Sequence, residues 1–135
     1  MSLLPMSVLS LFHSFALVLG AADTACAESG RDYTDGAVVL QVVRNRASLH
    51  RLGWARYDGT LWGALWSPAQ HAHGCRWPLT WRHVELGMRF VSDSLDVPEW
   101  ARTARYYCGR WDRPGDCQRR GGRRFVGRLA HEFWQ

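Results

Sequence analysis

The chain has 135 residues, of which 47% are hydrophobic and 21% are charged, and its 17 basic residues against 12 acidic ones give a formal net charge of +5. This length allows one domain with a single core, and the composition excludes an intrinsically disordered chain. Every basic residue is arginine. A basic surface favours a polyanionic partner such as nucleic acid, anionic lipid or an acidic envelope polymer, and charge alone does not choose among these.

Residues 1–22 are apolar and contain no Lys or Arg. The stretch ends in the small residues 20–22, which is typical of a secretory signal peptide. As a membrane span it is short and interrupted by polar residues, so no stable membrane span is expected. The sequence predicts a cleaved signal followed by a domain over residues 23–135, in a secreted, periplasmic or envelope location. A retained N-terminal apolar segment is the alternative.

Glu28 precedes a turn-forming segment and an apolar helix that ends near Arg46. Thr34 or Asp35 can cap this helix, and its valines form an apolar side together with Leu49. A carboxyl beside an apolar helix is a candidate general acid, since partial burial favours the protonated form of such a group. The alternative is a water-exposed glutamate at a helix end.

Two more helices are predicted downstream. Thr60 caps a short helix that ends at Trp66, and residues 67–79 form a loop rich in His, Gln, Cys and Trp. Thr80 or Trp81 begins the most regular helix, whose apolar residues repeat every three or four positions and are predicted to face the core. These residues are Trp81, Val84, Met88, Val91 and Leu95.

The C-terminal third has the composition of short strands. Residues 103–108 and 123–134 are rich in β-branched and aromatic residues and are joined by a Gly- and Arg-rich loop. The predicted fold is therefore α+β and mainly helical, with a short β-hairpin near the C-terminus.

Four cysteines behind an export-like segment favour two disulfides formed in an oxidising compartment. Three connectivities are possible. A bond between Cys108 and Cys117 across a turn-like segment is favoured, and it leaves Cys26 to pair with Cys75. Cleavage after the alternative small-residue motif at residues 25–27 would leave only three cysteines.

The remaining motifs predict no other chemistry. His71, His73 and Cys75, with His83 nearby, resemble a metal-binding tract, but an extended backbone points the first two to opposite faces, and zinc needs three or four convergent ligands. Neither a G-x-S-x-G nucleophile elbow nor a phosphate-binding glycine loop is present. No metal and no cofactor are predicted.

Four sequence blocks follow one another in a recognisable order. They are residues 28–46, residues 59–70 ending in Pro-x-Gln, residues 104–108 with paired tyrosines, and residues 125–134 with a Gly, His and Phe pattern. Together they resemble the spore-cortex-lytic type of cell wall hydrolase over most of the chain. The chain departs from that family at Asp32, where Glu is usual, at His71, where an aromatic residue is usual, and between Gly127 and His131, where it carries extra residues.

The resemblance implies a small lysozyme-like domain that cleaves the β-1,4 bond between N-acetylmuramic acid and N-acetylglucosamine. Glu28 would protonate the leaving oxygen and then act as base while the muramic 6-hydroxyl attacks, giving a 1,6-anhydro product. Simple hydrolysis more often uses a second carboxylate, for which Asp32 or Asp35 is the candidate. The predicted substrate-binding residues are Gln70, Tyr106, Tyr107, His131 and Asp32.

Two other functions remain as alternatives. A non-catalytic wall-binding or structural envelope protein suits a basic, disulfide-bonded chain with eight tryptophans, because exposed tryptophan stacks on sugar rings. A nucleic-acid binder suits the arginines but not the apparent export signal. Peptidoglycan glycan strands are thus the predicted partner, no nucleic acid is expected, and the oligomeric state is left open.

Overall fold

A computed structural model describes residues 3–49, 51–52, 55–67, 71–109 and 112–135. Within these residues the chain is mainly helical, with two small antiparallel sheets. The helices are α1 Leu3–Ser29, α2 Tyr33–Ala47, α3 Leu61–Leu65, α4 Trp81–Val91, a 3₁₀ helix Glu99–Thr103 and α5 Asp116–Arg119. The strands are β1 Arg51–Leu52, β2 Ala55–Arg56, β3 Tyr106–Cys108, β4 Phe125–Arg128 and β5 Glu132–Trp134. The α+β, mainly helical prediction is confirmed.

The larger sheet has the strand order β3-β5-β4 and is antiparallel throughout. Residues 106–108 and 132–134 pair as β3 and β5, within the two segments predicted to form the hairpin. Residues 125–134 also fold back on themselves, so that β4 and β5 form a second hairpin that the sequence did not predict. Tyr107 lies opposite Phe133 in the register of β3 and β5. Because side chains alternate along a strand, Tyr106 and Tyr107 face opposite sides of the sheet.

Helix α2 lies at the centre of the domain and contacts a separate apolar cluster on each side. Leu40 and Val43 pack with α1, α3 and α4, whereas Val38, Val39 and Val42 pack against the sheet and the 3₁₀ helix. The predicted valine face is therefore buried.

The cap of α2 is Asp32, whose carboxylate accepts the Asp35 N–H at 3.0 Å. Neither Thr34 nor Asp35 serves as the cap, so that prediction is wrong. The reason is that α2 begins at Tyr33, which places the side chain of Asp32 over the free N–H groups of the first turn.

Helix α1 covers most of the apolar segment of residues 1–22 and continues beyond it. It runs unbroken to Ser29, and its Leu17, Ala21 and Ala25 are part of the core. In the described part of the chain, no helix combines the length and the apolar character that a membrane crossing requires. Cleavage of residues 1–22 stays a prediction, and it would remove two of these core residues.

The predicted core stripe of α4 is only partly correct, because Leu95 lies in the core and Val91 packs against it, but Trp81 and Met88 are exposed. Trp81 is 70% exposed and Met88 is 42% exposed, whereas His83, Gly87 and Phe90 are buried. Helix α4 turns this face inward because Gly87 allows the α1 backbone at Val18 to approach, and a Cβ atom there would collide with the Val18 carbonyl. The helix also ends at Val91, so Leu95 lies beyond it.

Replacing Gly87 with alanine is expected to lower the free energy of unfolding by about 1 to 3 kcal/mol, because the added methyl group overpacks the contact between α1 and α4. Urea titration of the full chain measures this, with Glu85→Ala on the half-exposed face of α4 as the control. The substitution should lose most of its effect in a chain that starts at residue 23, since Val18 is then gone. Equal losses in both chains would contradict the described packing.

Both favoured disulfides are present. Cys26 is bonded to Cys75 and Cys108 to Cys117, and the chain has no free cysteine. The first bond ties the end of α1 to the loop before α4, and the second closes a short loop between β3 and α5. Two disulfides are compatible with an oxidising compartment.

Removing the Cys26–Cys75 bond is expected to destabilise the domain by about 1.5 kcal/mol more than removing the Cys108–Cys117 bond. The sequence separations are 49 and 9 residues, and the unfolded chain gains more entropy when the longer loop is released. The measurement compares guanidinium unfolding of the two paired Cys→Ala variants. A larger loss from the shorter loop would contradict this prediction.

Candidate active site

Glu28 lies on the last turn of α1, where the helix ends at a turn. Gly30 adopts a positive φ of 57° and its N–H is bonded to the Cys26 carbonyl at 2.8 Å, which closes the helix end. The Glu28 side chain is only 14% exposed, and its Oε1 accepts the backbone N–H of Ala72 at 2.5 Å. The carboxyl is therefore held in one orientation, with Oε2 turned towards His131.

The loop that supplies Ala72 is fixed along α1 by several contacts. The carboxylate of Asp23 accepts the backbone N–H groups of Gly74 and Cys75 at 2.7 and 2.8 Å. The Cys26–Cys75 disulfide anchors the same segment. Since these contacts are spread over two turns of α1, the loop forms a preorganised wall beside Glu28.

Asp35 is completely buried in the first turn of α2, and both of its carboxylate oxygens accept hydrogen bonds. Its carboxylate accepts the Ser29 hydroxyl at 2.6 Å, the His131 backbone N–H at 2.8 Å and His131 Nδ1 at 2.5 Å. His131 lies in the turn between β4 and β5. A buried carboxylate that accepts three such bonds keeps its charge and fixes the ring of the histidine.

His131 bridges two carboxylates. Its Nδ1 is bonded to Asp35, and its Nε2 lies 3.6 Å from Glu28 Oε2. Burial disfavours the charged imidazolium, but hydrogen bonding to Asp35 and Glu28, reinforced by their charges, raises the pKa of His131 to about 9. Burial also opposes ionisation of Asp35, yet the hydrogen bonds from His131 and Ser29 hold the pKa of that carboxyl below its ordinary value. Near neutral pH this pair is charged.

Tyr107 and His71 form a neutral wall behind the two charged groups. The Tyr107 ring meets the His131 ring edge-on at 5.3 Å, and its hydroxyl is bonded to His71 Nδ1 at 2.8 Å. Burial, followed by the charge of Glu28, raises the pKa of Tyr107 well above its ordinary value. Burial and the charge of Arg46 lower the pKa of His71 to about 3. Both side chains therefore stay uncharged at neutral pH.

A cavity of about 530 Å³ opens in front of Glu28 and His131. Its walls are the end of α1, the loop of residues 72–77, and the sheet end at Gly109 and Ala130. Glu28 is the only carboxylate among the described residues that line it. The arrangement provides one carboxyl group, a protonated imidazole that faces it, and space for a ligand of oligosaccharide size.

The structure brings together some of the predicted site residues and separates others. Glu28 and His131 line the cavity, and Tyr107 packs directly against His131. Tyr106 faces the other side of the sheet, with its hydroxyl beside Gly121. Asp32 is exposed at the start of α2 and is not part of the cavity lining.

Gln70 lies outside the described residues. Among those that are described, no group of three or more His, Cys, Asp or Glu side chains is arranged to hold a metal ion. Sequence reasoning missed the role of Asp35 as the buried partner of His131. The only signal available was an aspartate in the first turn of an apolar helix, which also suits a helix cap.

Comparison with known proteins adds no assignment, since no protein-family model, no curated protein and no solved structure matches this chain.

Proposed function

We propose that this protein cleaves the β-1,4 bond between N-acetylmuramic acid and N-acetylglucosamine in peptidoglycan by a lytic transglycosylase reaction. The observation that carries the proposal is the lone carboxyl of Glu28 on a cavity wall, faced by a protonated imidazole. A single carboxyl suits a reaction in which the sugar supplies its own nucleophile. A hydrolase with two carboxylates needs both beside the scissile bond.

The proton for the leaving group comes from the pair formed by His131 and Glu28. Transfer of the Nε2 proton to Glu28 gives a neutral carboxylic acid and a neutral imidazole, whose Nδ1–H remains bonded to Asp35. Hydrogen bonds of catalytic groups are often long without substrate and shorten once it binds, so a separation of 3.6 Å suits this transfer.

The bond changes balance without a cofactor. Glu28 gives its proton to the glycosidic oxygen as the bond from C1 of the muramic residue breaks. The resulting carboxylate then accepts the proton of the muramic 6-hydroxyl while that oxygen bonds to C1. Return of this proton from Glu28 to His131 Nε2 restores the starting state, and no water is consumed. The attacking hydroxyl belongs to the same sugar, so its effective concentration is high.

The position of the other carboxylates supports the same route. Asp35 is buried and fully engaged with Ser29 and His131, so it does not hold a water molecule against a sugar. Asp32 is engaged in capping α2. The proposal locates the enzyme in the periplasm or outside the cell, where peptidoglycan lies and where two disulfides are stable.

The experiment is incubation of the purified full chain with purified peptidoglycan, followed by measurement of soluble muropeptides. Release that grows with time and enzyme concentration supports the proposal. A non-catalytic wall-binding protein is the second candidate, because Trp62, Trp66, Trp77 and Trp81 are at least 40% exposed. Cosedimentation with peptidoglycan without any release would favour that candidate and overturn the enzymatic proposal.

A further inference from the structure

The cavity in front of Glu28 continues to an exposed tryptophan that the catalytic steps do not use. Trp77 is 63% exposed and lines the main cavity. It also lines a second cavity of about 250 Å³, whose other described wall is Arg31. The indole is thus shared by two adjoining spaces, one of which contains the proposed acid.

The backbone that carries Trp77 is fixed. Two residues earlier, Cys75 is bonded to Cys26, and its N–H is bonded to Asp23 at 2.8 Å. An indole displayed on an immobilised backbone has little conformational freedom to lose on binding a planar or ring-shaped ligand. The face of such a ring is suited to the C–H groups of a pyranose, since tryptophan presents a large apolar body next to a polar edge.

Two arginines flank this tryptophan. Arg31 lines the smaller cavity and Arg76 lines the larger one, and both are exposed. Neither forms an ion pair with any carboxylate in the described ranges. Six other arginines have carboxylate partners, namely Arg44, Arg89, Arg102, Arg119, Arg120 and Arg128, whereas further exposed arginines such as Arg82 and Arg124 have none among the described residues. Arg31 and Arg76 thus place a guanidinium group in each of the two cavities, and no carboxylate of the described residues pairs with either group.

We infer that Trp77, Arg31 and Arg76 form a subsite for a sugar ring that carries a carboxylate. Trp77 packs on the ring, and the guanidinium groups bind the carboxylate, an anion whose geometry matches their paired donors. The inference rests on the proposed function, because in peptidoglycan the muramic residue supplies such a carboxylate through its lactyl group or its stem peptide. A neutral N-acetylglucosamine polymer would use the indole but not the arginines.

The test measures binding by calorimetry to the catalytically silenced Glu28→Gln full chain. The probes are neutral chitotetraose, a peptide-free tetrasaccharide of alternating N-acetylglucosamine and N-acetylmuramic acid, and the same tetrasaccharide with stem peptides. Arg31→Gln combined with Arg76→Gln should weaken carboxylate-bearing probes about tenfold or more and leave chitotetraose unchanged. Trp77→Ala should weaken all three probes about tenfold.

Matched controls separate this subsite from general surface effects. Trp81→Ala removes another exposed tryptophan, and Arg124→Gln removes another exposed arginine, and neither residue lines the two cavities. Both controls should bind every probe like the parent. If the arginine variant binds the peptide-free tetrasaccharide more weakly, the arginines bind the lactyl carboxylate. If only binding of the peptide-bearing tetrasaccharide is weakened, they bind a carboxylate of the stem peptide.

Three results would overturn the inference: no binding of any probe, unchanged binding in the arginine variant, or an equal loss for charged and neutral probes. These outcomes are distinct from failure of the proposed function. If the probes bind with the expected pattern but the wild-type chain releases no muropeptides, the subsite is supported and the proposed reaction is contradicted. If the wild-type chain releases muropeptides but the arginine variant binds every probe like its parent, the proposed reaction is supported and the subsite is contradicted.

Discussion

Replacing Glu28 with glutamine is expected to reduce muropeptide release by about 10²- to 10⁴-fold, the contribution of a positioned general acid. The amide has nearly the same size and shape, and its oxygen can still accept the Ala72 N–H. Only the transferable proton and the negative charge are lost. The measurement is the initial rate of release from purified peptidoglycan, with the melting temperature as a check on folding.

The matched control for this variant is Glu85→Gln. Glu85 lies on α4, pairs with Arg89 on the surface and does not line the cavity. It should retain the wild-type rate, because an exposed ion pair contributes little. A folded Glu28→Gln chain with a wild-type rate would remove Glu28 from the mechanism.

Replacing Asp35 with asparagine is expected to lower the free energy of unfolding by about 3 to 5 kcal/mol near neutral pH, because it leaves the buried His131 without its charged partner. Asp35 is fully buried and His131 nearly so. Asp32→Asn on the same helix is the control. Since asparagine caps a helix about as well as aspartate, that variant should change stability by less than about 0.5 kcal/mol.

The pH dependence gives this prediction a second readout. The pKa of His131 rises from 6.5 in the unfolded chain to about 9 in the fold, so its stabilising contribution is complete below pH 6.5 and is lost as the pH rises through 9. We expect the wild-type chain to lose on the order of 3 kcal/mol over this interval. The groups that face His131 are Asp35, Glu28 and Tyr107.

The Asp35→Asn chain should lack most of this loss, so its deficit relative to wild type should shrink between pH 6.5 and 9. Urea titrations of both proteins at several pH values measure the effect. The contribution of Asp35 to stability has the opposite pH dependence. Because the pKa of Asp35 is lowered in the fold, this contribution is present above about pH 3.8 and is lost on acidification. A wild-type chain whose stability does not fall between pH 6.5 and 9 would contradict the charged pair.

The parts of the fold that follow from local sequence signals were predictable. Thr60 caps α3 as expected, because a threonine before an apolar run is a strong N-cap signal. Helix α4 begins at Trp81, which is one of the two predicted starts. Strands at residues 106–108 and within residues 123–134 also match, as do the disulfides, since aromatic content and a short cysteine spacing are visible in the sequence. The turn that divides the second segment into β4 and β5 was not predicted.

What could not be predicted depends on contacts between distant parts of the chain. The bond between Asp35 and His131 joins residues that are 96 positions apart, and no local pattern reports it. Asp32 and Asp35 lie three residues apart at one helix end, and which of them caps the helix depends on where the turn after α1 ends. For α4, the apolar periodicity predicted that Trp81 and Met88 face the core. The close approach of the α1 backbone to Gly87 instead leaves these two side chains exposed to solvent.

The most direct measurement of the central claim is digestion of peptidoglycan in water enriched in ¹⁸O, with mass spectrometry of the released muropeptides. Glu28 is the one carboxylate among the described residues that line the cavity, and the proposed mechanism makes the muramic 6-hydroxyl the nucleophile. The proposal therefore predicts products that end in 1,6-anhydro sugars and contain no ¹⁸O from solvent. Reducing ends labelled with ¹⁸O would show that water is the nucleophile and would contradict the single-carboxyl mechanism.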